Sequence, residues 1–217
     1  MKCPAFLGVF CGPSLPLEDR ICAAGVCYLP PAARGDIARS AGQYDALLLI
    51  DGVFHHDLAP SPKECYDAAQ RTRCFGAASM GALRAAECRS YGFTPLGIIA
   101  RWYVCEVIDG DDEVAVLVDP RTQRALSVPS VNVRYVARLA VRRGVLSKRE
   151  ACTLVESARD VFYAERTWDH VVDLAPAHAR AALDSIAAAH GDLKRHDARF
   201  ALRRFLGVRS VAKVACG

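Results

Sequence analysis

The chain of 217 residues has no long hydrophobic run, and this absence limits the class of protein to which it can belong. A membrane helix needs about 18 or more consecutive apolar residues, so the sequence predicts no membrane span. The short apolar run near Met1 ends at Gly12-Pro13 and lacks the small-residue cleavage site of a secretory signal. We therefore predict that this run is a first strand and that the protein is cytoplasmic.

The sequence also lacks the short motifs of nucleotide and metal sites. Its glycines form neither a GxGxxG fingerprint nor a P-loop. There are ten cysteines but no Cys-x-x-Cys pair, so we expect most of them to be small buried hydrophobes in a reducing compartment. His55 and His56 with a distant cysteine leave a structural zinc site open as the minor alternative. The acidic turn at residues 109–113 lacks calcium-loop spacing and is predicted to be solvated, so we predict no metal and no cofactor.

Apolar residues make up 52% of the chain and charged residues 24%, a globular composition that excludes the disordered, collagen and coiled-coil classes. The charge is unevenly distributed: residues 1–128 hold 12 Lys and Arg against 15 Asp and Glu, whereas residues 129–217 hold 16 against 9. A basic segment predicts an acidic partner. Because the basic residues are spread over several predicted helices with few aromatics among them, a protein partner is favoured over nucleic acid.

Short apolar runs alternate with helical patterns in the first half, which is typical of α/β proteins. We predict a mostly parallel sheet flanked by helices over residues 1–128, and a basic, all-helical region over residues 129–217 packed on that core. Strands are predicted at residues 6–11, 26–29, 45–50, 73–75 and 114–118. In the first region, helices are predicted at residues 15–24, 32–41, 80–91 and 96–105, and another begins after Ser61 as its N-cap. In the second region, helices are predicted at residues 131–143, 147–163, 167–173, 176–190 and 193–206.

Ligands of parallel α/β sheets bind at the carboxyl ends of the strands. Four predicted loops lie there: Gly12-Pro13-Ser14, Asp51-Gly52, the loop that leads to Lys63, and the turn at Ser79. We expect the strands that end at Cys11, Ile50 and Phe75 to lie close together, because all three lead into these loops.

The turn Ala77-Ala78-Ser79-Met80-Gly81 follows the small-x-Ser-x-Gly pattern of a nucleophile elbow. Its small flanking residues permit a tight strand-to-helix turn that presents Ser79, and the N–H of Met80 is then a candidate oxyanion donor. The alternative is that Ser79 is only an N-cap.

A serine nucleophile needs a base, and Lys63 is the candidate. Its place in the first turn of a helix, together with partial burial, predicts a lowered pKa and a neutral amine. The alternative is a solvated lysine.

Arg84 either pairs with Glu87 on the helix surface or points to the cleft, where it holds a carboxylate.

Taken in order, several segments resemble the TfuA-like proteins. They are Val9–Leu15, Leu29–Ala32 with Arg34-Gly35-Asp36, Ile50–Phe54, Lys63-Glu64, Gly76–Glu87 and Asp111–Val116. The run from Gly76 to Glu87 is the most specific of these, and the resemblance covers about residues 6–118. Two positions depart from the family pattern: Pro62 stands where histidine precedes the lysine, and Phe93 stands where methionine follows the glycine.

The resemblance implies a partner of YcaO enzymes, which activate a peptide-bond oxygen with ATP so that sulfur replaces it. It implies hydrolysis of the C-terminal thiocarboxylate of a ThiS-like sulfur carrier, with only indirect contact to the precursor peptide. The family's Ser–Lys centre corresponds to Ser79 and Lys63. Gly12, Ser14, Asp51, Met80 and Arg84 are then expected to line or order the site, with N–H groups of Gly12 and Met80 holding negative charge. The basic helices are expected to dock YcaO or the carrier. The alternative function is a non-catalytic scaffold that activates YcaO allosterically.

Overall fold

The structure is a computed structural model, and it describes residues 6–54 and 58–207. By compactness the chain divides into two units. The first unit comprises the residues up to Asp109 together with those from Arg195 onward, and the second unit comprises Gly110–Lys194. The division expected from the sequence lay between residues 128 and 129. The structure differs in two places: residues 110–128 belong to the second unit, and the last helix, from Arg195 onward, packs on the sheet of the first unit.

The first unit contains a five-stranded parallel sheet, which confirms the predicted fold class. The strands are β1 (Leu7–Phe10), β2 (Val26–Leu29), β3 (Ala46–Leu49), β4 (Arg73–Ala77) and β5 (Phe93–Leu96), in the order β2-β1-β3-β4-β5. Leu7 lies beside Ala46, and Ala46 lies beside Arg73, so the carboxyl ends of the three central strands are in register at one edge. All four residues of β3 are buried, as its continuous apolar run predicts.

The described residues form nine α-helices. They are α1 (Asp36–Ser40), α2 (Pro62–Ala69), α3 (Met80–Glu87), α4 (Gly97–Val104), α5 (Ser130–Arg142), α6 (Lys148–Asp160), α7 (Trp168–Asp173), α8 (Arg180–His190) and α9 (Leu193–Phe205). The helical character predicted for the chain after residue 130 is confirmed. Single 3₁₀ turns occur at Leu17–Asp19, Arg89–Tyr91, Asp111–Glu113 and Ala177–Ala179.

Alternation along the strands gives the sheet two apolar faces, each covered by helices. One face carries Leu48 and Ile50 and packs against Ala201 and Leu202 of α9. The opposite face carries Leu47 and Leu49 and packs against residues of α1, α2 and α3, which include Ile37, Cys65 and Ala85. The sheet is therefore a central layer, and the loops at its carboxyl edge are held from both sides.

Three predicted elements differ from the structure. The strand predicted at residues 114–118 is wrong, because Val118 makes only an isolated bridge to Ala125. The helix predicted at residues 15–24 is a single 3₁₀ turn. The Tyr28 hydroxyl accepts a bond from the Ile21 N–H and donates one to the Ile21 carbonyl, and a helix would need both of these backbone groups. The helix predicted at residues 32–41 starts only at Asp36, because Ala32 forms a bridge to Gly52.

Strand β5 was not predicted. It contains Pro95, whose missing N–H is tolerated because β5 is an edge strand.

The second unit has its own core, formed mainly by α5, α6, α7 and α8. Asp109, Asp111 and Asp112 of the acidic turn are exposed, as predicted. Glu113 is the exception: its side chain is 1% exposed and accepts bonds from Arg134, with an Nη2–Oε1 distance of 2.6 Å. A second arginine, Arg159, lies 3.5 Å from the same oxygen. Two cations therefore pair with this buried carboxylate.

Four of the cysteines are buried as predicted: Cys11, Cys65, Cys74 and Cys88. Cys27 is half-buried, and Cys22, Cys105 and Cys152 are exposed. Cys3 and Cys216 lie outside the described residues. Within residues 6–54 and 58–207, no group of three His, Cys, Asp or Glu side chains is placed to hold a metal ion. His55 and His56, which the zinc alternative requires, are outside those ranges. No described helix has both the length and the apolar character needed to cross a membrane.

Candidate active site

The candidate site lies at the carboxyl edge of the sheet, where the chain connections from β1 and β3 run in opposite directions. Such a switch point is where parallel α/β sheets bind ligands. The Asp51 carboxylate, after β3, accepts bonds from the Gly12 N–H at 2.8 Å, the Ser14 N–H at 3.1 Å and the Ser14 hydroxyl at 2.7 Å. Asp51 is 2% exposed, so it fixes the loop after β1 from inside the protein.

These bonds change the role expected of Gly12. Its N–H is directed at Asp51, so it is not available to hold negative charge on a substrate, contrary to the sequence-based expectation. Gly12 lines the edge for a different reason. A Cβ atom at this position would lie 2.7 Å from Cγ of Pro31, so the close approach of the two loops requires glycine.

The Ser79 turn connects β4 to α3 in one tight step. The Ser79 N–H donates to the Ala77 carbonyl at 2.9 Å across Ala78, which has a φ of +66°. This left-handed conformation is costly for a residue with a side chain and is characteristic of functional turns. Ser79 itself is 2% exposed, and its side chain makes no capping bond to α3. The N-cap alternative therefore explains the position of Ser79 but not a use for its hydroxyl.

Two glycines let α3 press directly on the sheet. A Cβ atom at Gly81 would overlap the Leu49 carbonyl oxygen, and one at Gly76 would overlap the Gly81 carbonyl oxygen. The N–H of Gly81 donates to the Ile50 carbonyl at 3.1 Å, which joins the Ser79 turn to the residue before Asp51. As predicted, the loops after β1, β3 and β4 meet at one edge.

The N–H of Met80 is at the first position of α3, where a helix supplies no acceptor of its own.

Lys63 is arranged differently from the sequence-based expectation. Its side chain is 84% exposed, and Nζ lies 2.9 Å from the Asp67 carboxylate one helical turn away. The hydrogen bond that Lys63 donates to Asp67, followed by the charge of that carboxylate, raises the pKa of Lys63 instead of lowering it. The predicted start of α2 is confirmed, since Ser61 and Glu64 form a reciprocal capping box. In this arrangement the Lys63 amine is protonated and solvated.

Two contacts near Lys63 were missed by sequence reasoning. The Glu64 carboxylate, besides completing the capping box, accepts a bond from the Ile37 N–H at 3.0 Å and so joins α2 to α1. Arg84 pairs with Glu87 at 2.5 Å, as one alternative predicted, but its Nε also donates to the Pro60 carbonyl at 2.7 Å. Arg84 therefore anchors the loop before α2. Local spacing indicated the pairing of Arg84 with Glu87. It could not indicate the bonds to Ile37 and Pro60, because these residues are distant in sequence from Glu64 and Arg84.

Two nucleophilic side chains, Cys11 and Ser79, lie at this edge, and both are buried. Desolvation raises the pKa of the Cys11 thiol to about 12, so this cysteine at the end of β1 stays protonated at neutral pH. A buried neutral thiol is a poor nucleophile, whereas a serine hydroxyl in a strained turn acts once a base accepts its proton. Of these two groups, Ser79 is the better candidate for covalent chemistry.

The sequence matches a known protein family over a segment that holds most of these side chains. The sequence model of the family described as TfuA-like protein matches residues 51–167, which include Asp51, Lys63, Ser79 and Arg84. The match extends further along the chain than the resemblance from motifs, which ended near residue 118. No curated protein matches the sequence. Because the match spans more than half of the 217 residues, the chain belongs to the TfuA-like family.

Proposed function

We propose that this chain is an accessory hydrolase of peptide-backbone thioamidation. Membership in the TfuA-like family supports a role in thioamidation-associated biosynthesis beside a YcaO partner. In this proposal the substrate is the C-terminal thiocarboxylate of a ThiS-like carrier protein, and the product delivered to YcaO is sulfide. The observation that carries the hydrolytic part is the Ser79 turn, where a strained residue precedes a serine whose side chain makes no capping bond.

The chemistry follows an acyl-transfer sequence. The Ser79 oxygen attacks the carbonyl carbon of the thiocarboxylate and gives its proton to a base. The tetrahedral intermediate collapses with cleavage of the carbon–sulfur bond, and the protonated base returns its proton to the sulfur. Hydrosulfide leaves, and an acyl ester forms on Ser79. Water then hydrolyses the ester to a carboxylate and regenerates the serine. The attack of Ser79 and the later attack of water each form a tetrahedral intermediate with a negative oxygen. The N–H of Met80, at the positive end of α3, is the donor proposed for that oxygen in both.

The base proposed on the family motif is Lys63, and its geometry sets a condition on the mechanism. An ammonium group bonded to Asp67 accepts no proton, so Lys63 acts as a base only after it leaves Asp67 and loses its proton. Binding of the carrier at this edge would supply the burial that lowers the lysine pKa.

The solvent-exposed position of Lys63 also favours the second candidate function, a scaffold that activates YcaO without hydrolysis. In that case the Asp51 network and the Ser79 turn shape a docking edge, and the chain releases no sulfide. The two functions differ in one measurable product.

The test is sulfide release from a thiocarboxylated ThiS-like carrier by the purified chain. We expect release by the wild-type protein and loss of at least about 1000-fold in rate for Ser79→Ala, as for removal of a serine nucleophile. Lys63→Arg is expected to lose activity as well, because arginine stays protonated. Ser90→Ala, which changes an exposed serine in the turn after α3, is the matched control.

Two results would contradict the hydrolase proposal. Sulfide release by Ser79→Ala at the wild-type rate would remove Ser79 as nucleophile. No release by wild-type protein that still stimulates YcaO thioamidation would establish the scaffold function instead.

A further inference from the structure

The second unit contains a groove that the proposed chemistry does not use. Helices α5 and α6 are joined by the short connection at residues 143–147 and pack against each other as a helical hairpin. The groove along this hairpin is a cavity of about 590 Å³. Its lining residues on α5 are spaced by three or four positions, from Arg134 to Arg142, and those on α6 run from Lys148 to Arg159. This spacing identifies one continuous face of the hairpin.

The floor of the groove is apolar. Ala137 and Ala151 belong to the buried core of the second unit, and Val141 and Val155 are partly buried against that core. The valine side chains are therefore left half-covered along the centre of the face. An apolar strip of this kind, flanked by polar residues, is typical of a site for a partner segment.

The rim of the groove is strongly basic. Arg134, Arg138, Arg142, Lys148 and Arg159 line it, with Glu156 as the one acidic lining residue. The buried Glu113 neutralises part of this charge through Arg134 and Arg159. Counted as formal charges, the five cations and these two carboxylates sum to +3. Burial, followed by the neighbouring Arg134 charge, lowers the pKa of the Arg138 guanidinium.

We propose that this groove binds an amphipathic α-helical segment of a partner protein, with an apolar face and flanking Asp or Glu residues. Its apolar side chains cover Val141 and Val155, and its carboxylates pair with the basic rim. The lining runs over about two to three turns of each helix, so a segment of roughly 11 residues fits its length. Nucleic acid is disfavoured because phosphate contacts need the basic rim but have no use for an apolar floor.

The probe for this proposal is a fluorescein-labelled helical peptide of about 16 residues, long enough to form a helix when bound. Leucines occupy one face and glutamates flank it. An isomer with the same composition but no apolar face is the control peptide. Fluorescence anisotropy with the full chain measures the dissociation constant. We expect the amphipathic peptide to bind at least about tenfold more tightly than its isomer, because only the former covers the floor.

Paired variants test the rim and the floor separately. Arg138→Glu with Arg142→Glu is expected to weaken binding by about tenfold or more. Arg143→Glu, in the connection after α5, combined with Arg149→Glu on α6 lies outside the lining and is expected to leave binding within about twofold. Cys152→Phe fills the groove without a change of charge and is expected to weaken binding similarly. Thr153→Phe, its exposed neighbour outside the lining, is the control. Circular dichroism melting of every variant verifies that the second unit is folded.

Three results would overturn the proposal. They are equal binding of the two peptides, binding that is unchanged in both the rim variant and Cys152→Phe, and displacement of the peptide by a duplex DNA of about 20 base pairs at equal concentration. None of these measurements depends on sulfide release, because every lining residue belongs to the second unit and Ser79 belongs to the first.

Discussion

Asp51 illustrates what can be predicted for single residues at this site. Its place after a buried strand indicated a position at the ligand-binding edge, and the structure places it there. Its partners could not be predicted, because Gly12 and Ser14 are 39 and 37 positions away in sequence. The same limit applies to Lys63. Helix position together with partial burial predicted a lowered pKa, but the side chain is 84% exposed and the residue at i+4 is Asp67, whose carboxylate raises the pKa.

The bond between Lys63 and Asp67 gives a test of the proposed base. Asp67→Asn removes the hydrogen bond and the charge that raise the lysine pKa, so that pKa falls. Because the neutral amine is the working form, sulfide release rises with pH through the lysine pKa. We therefore expect the midpoint of the pH–rate profile to move to lower pH in the variant. Rates of release from the thiocarboxylated carrier over a pH series measure this midpoint.

The control for this experiment is Asp45→Asn, which neutralises an exposed carboxylate before β3, at the opposite edge of the sheet. Its profile is expected to match the wild type. An unchanged midpoint in Asp67→Asn would show that the rate does not depend on the ionisation of Lys63.

At the scale of elements, local signals predicted what local interactions determine. The continuous apolar run of β3 and the capping box of α2 needed no distant partner, and both are confirmed. The failures lie where tertiary contacts decide. β5 accepts Pro95 because it is at the edge of the sheet, and residues after Glu113 stay irregular because the carboxylate pairs with Arg134. The sequence does not reveal which strand becomes an edge.

Gly81 tests the close packing of α3 on the sheet. Gly81→Ala introduces a Cβ atom where the Leu49 carbonyl oxygen lies, and backbone atoms of a central strand have little room to move. We expect the free energy of unfolding of the first unit to fall by about 3 kcal/mol or more. Urea denaturation in a Trp168→Phe background measures it, because Trp102 is then the single tryptophan and lies in α4 of the first unit.

Gly42→Ala is the comparison variant. A Cβ atom there meets nothing within 4 Å, so only the cost of its positive φ applies, about 1–2 kcal/mol. Equal losses for the two variants would mean that α3 does not need the close approach at Gly81.

For the whole molecule, the packing of α9 predicts that the stability of the first unit depends on residues far along the chain. Ala198, Ala201 and Leu202 are fully buried against the sheet, and Asp197 accepts a bond from the Ile99 N–H at 2.7 Å. A chain that stops after Lys194 loses all of these contacts. Loss of the Leu202 side chain alone costs about 2–5 kcal/mol, so we expect no cooperative unfolding of the first unit. Urea titrations followed by Trp102 fluorescence in the Trp168→Phe background measure this.

A chain that stops after Gly207 retains all of α9 and is the control, with an expected urea midpoint like that of the full chain. If the shorter chain also unfolded at the full-length midpoint, α9 would contribute nothing to the stability of the sheet.

The return of α9 to the first unit has a consequence for biosynthesis. The second unit, Gly110–Lys194, is continuous in sequence, whereas the first unit is complete only after α9 has emerged. At ordinary translation rates the ribosome needs about 4–17 s to make those intervening residues. During this interval the face of β1 and β3 that α9 later covers stays open to water. We expect nascent chains of this length to recruit chaperones that bind apolar strands, and crosslinking of ribosomes stalled after residue 194 measures that recruitment.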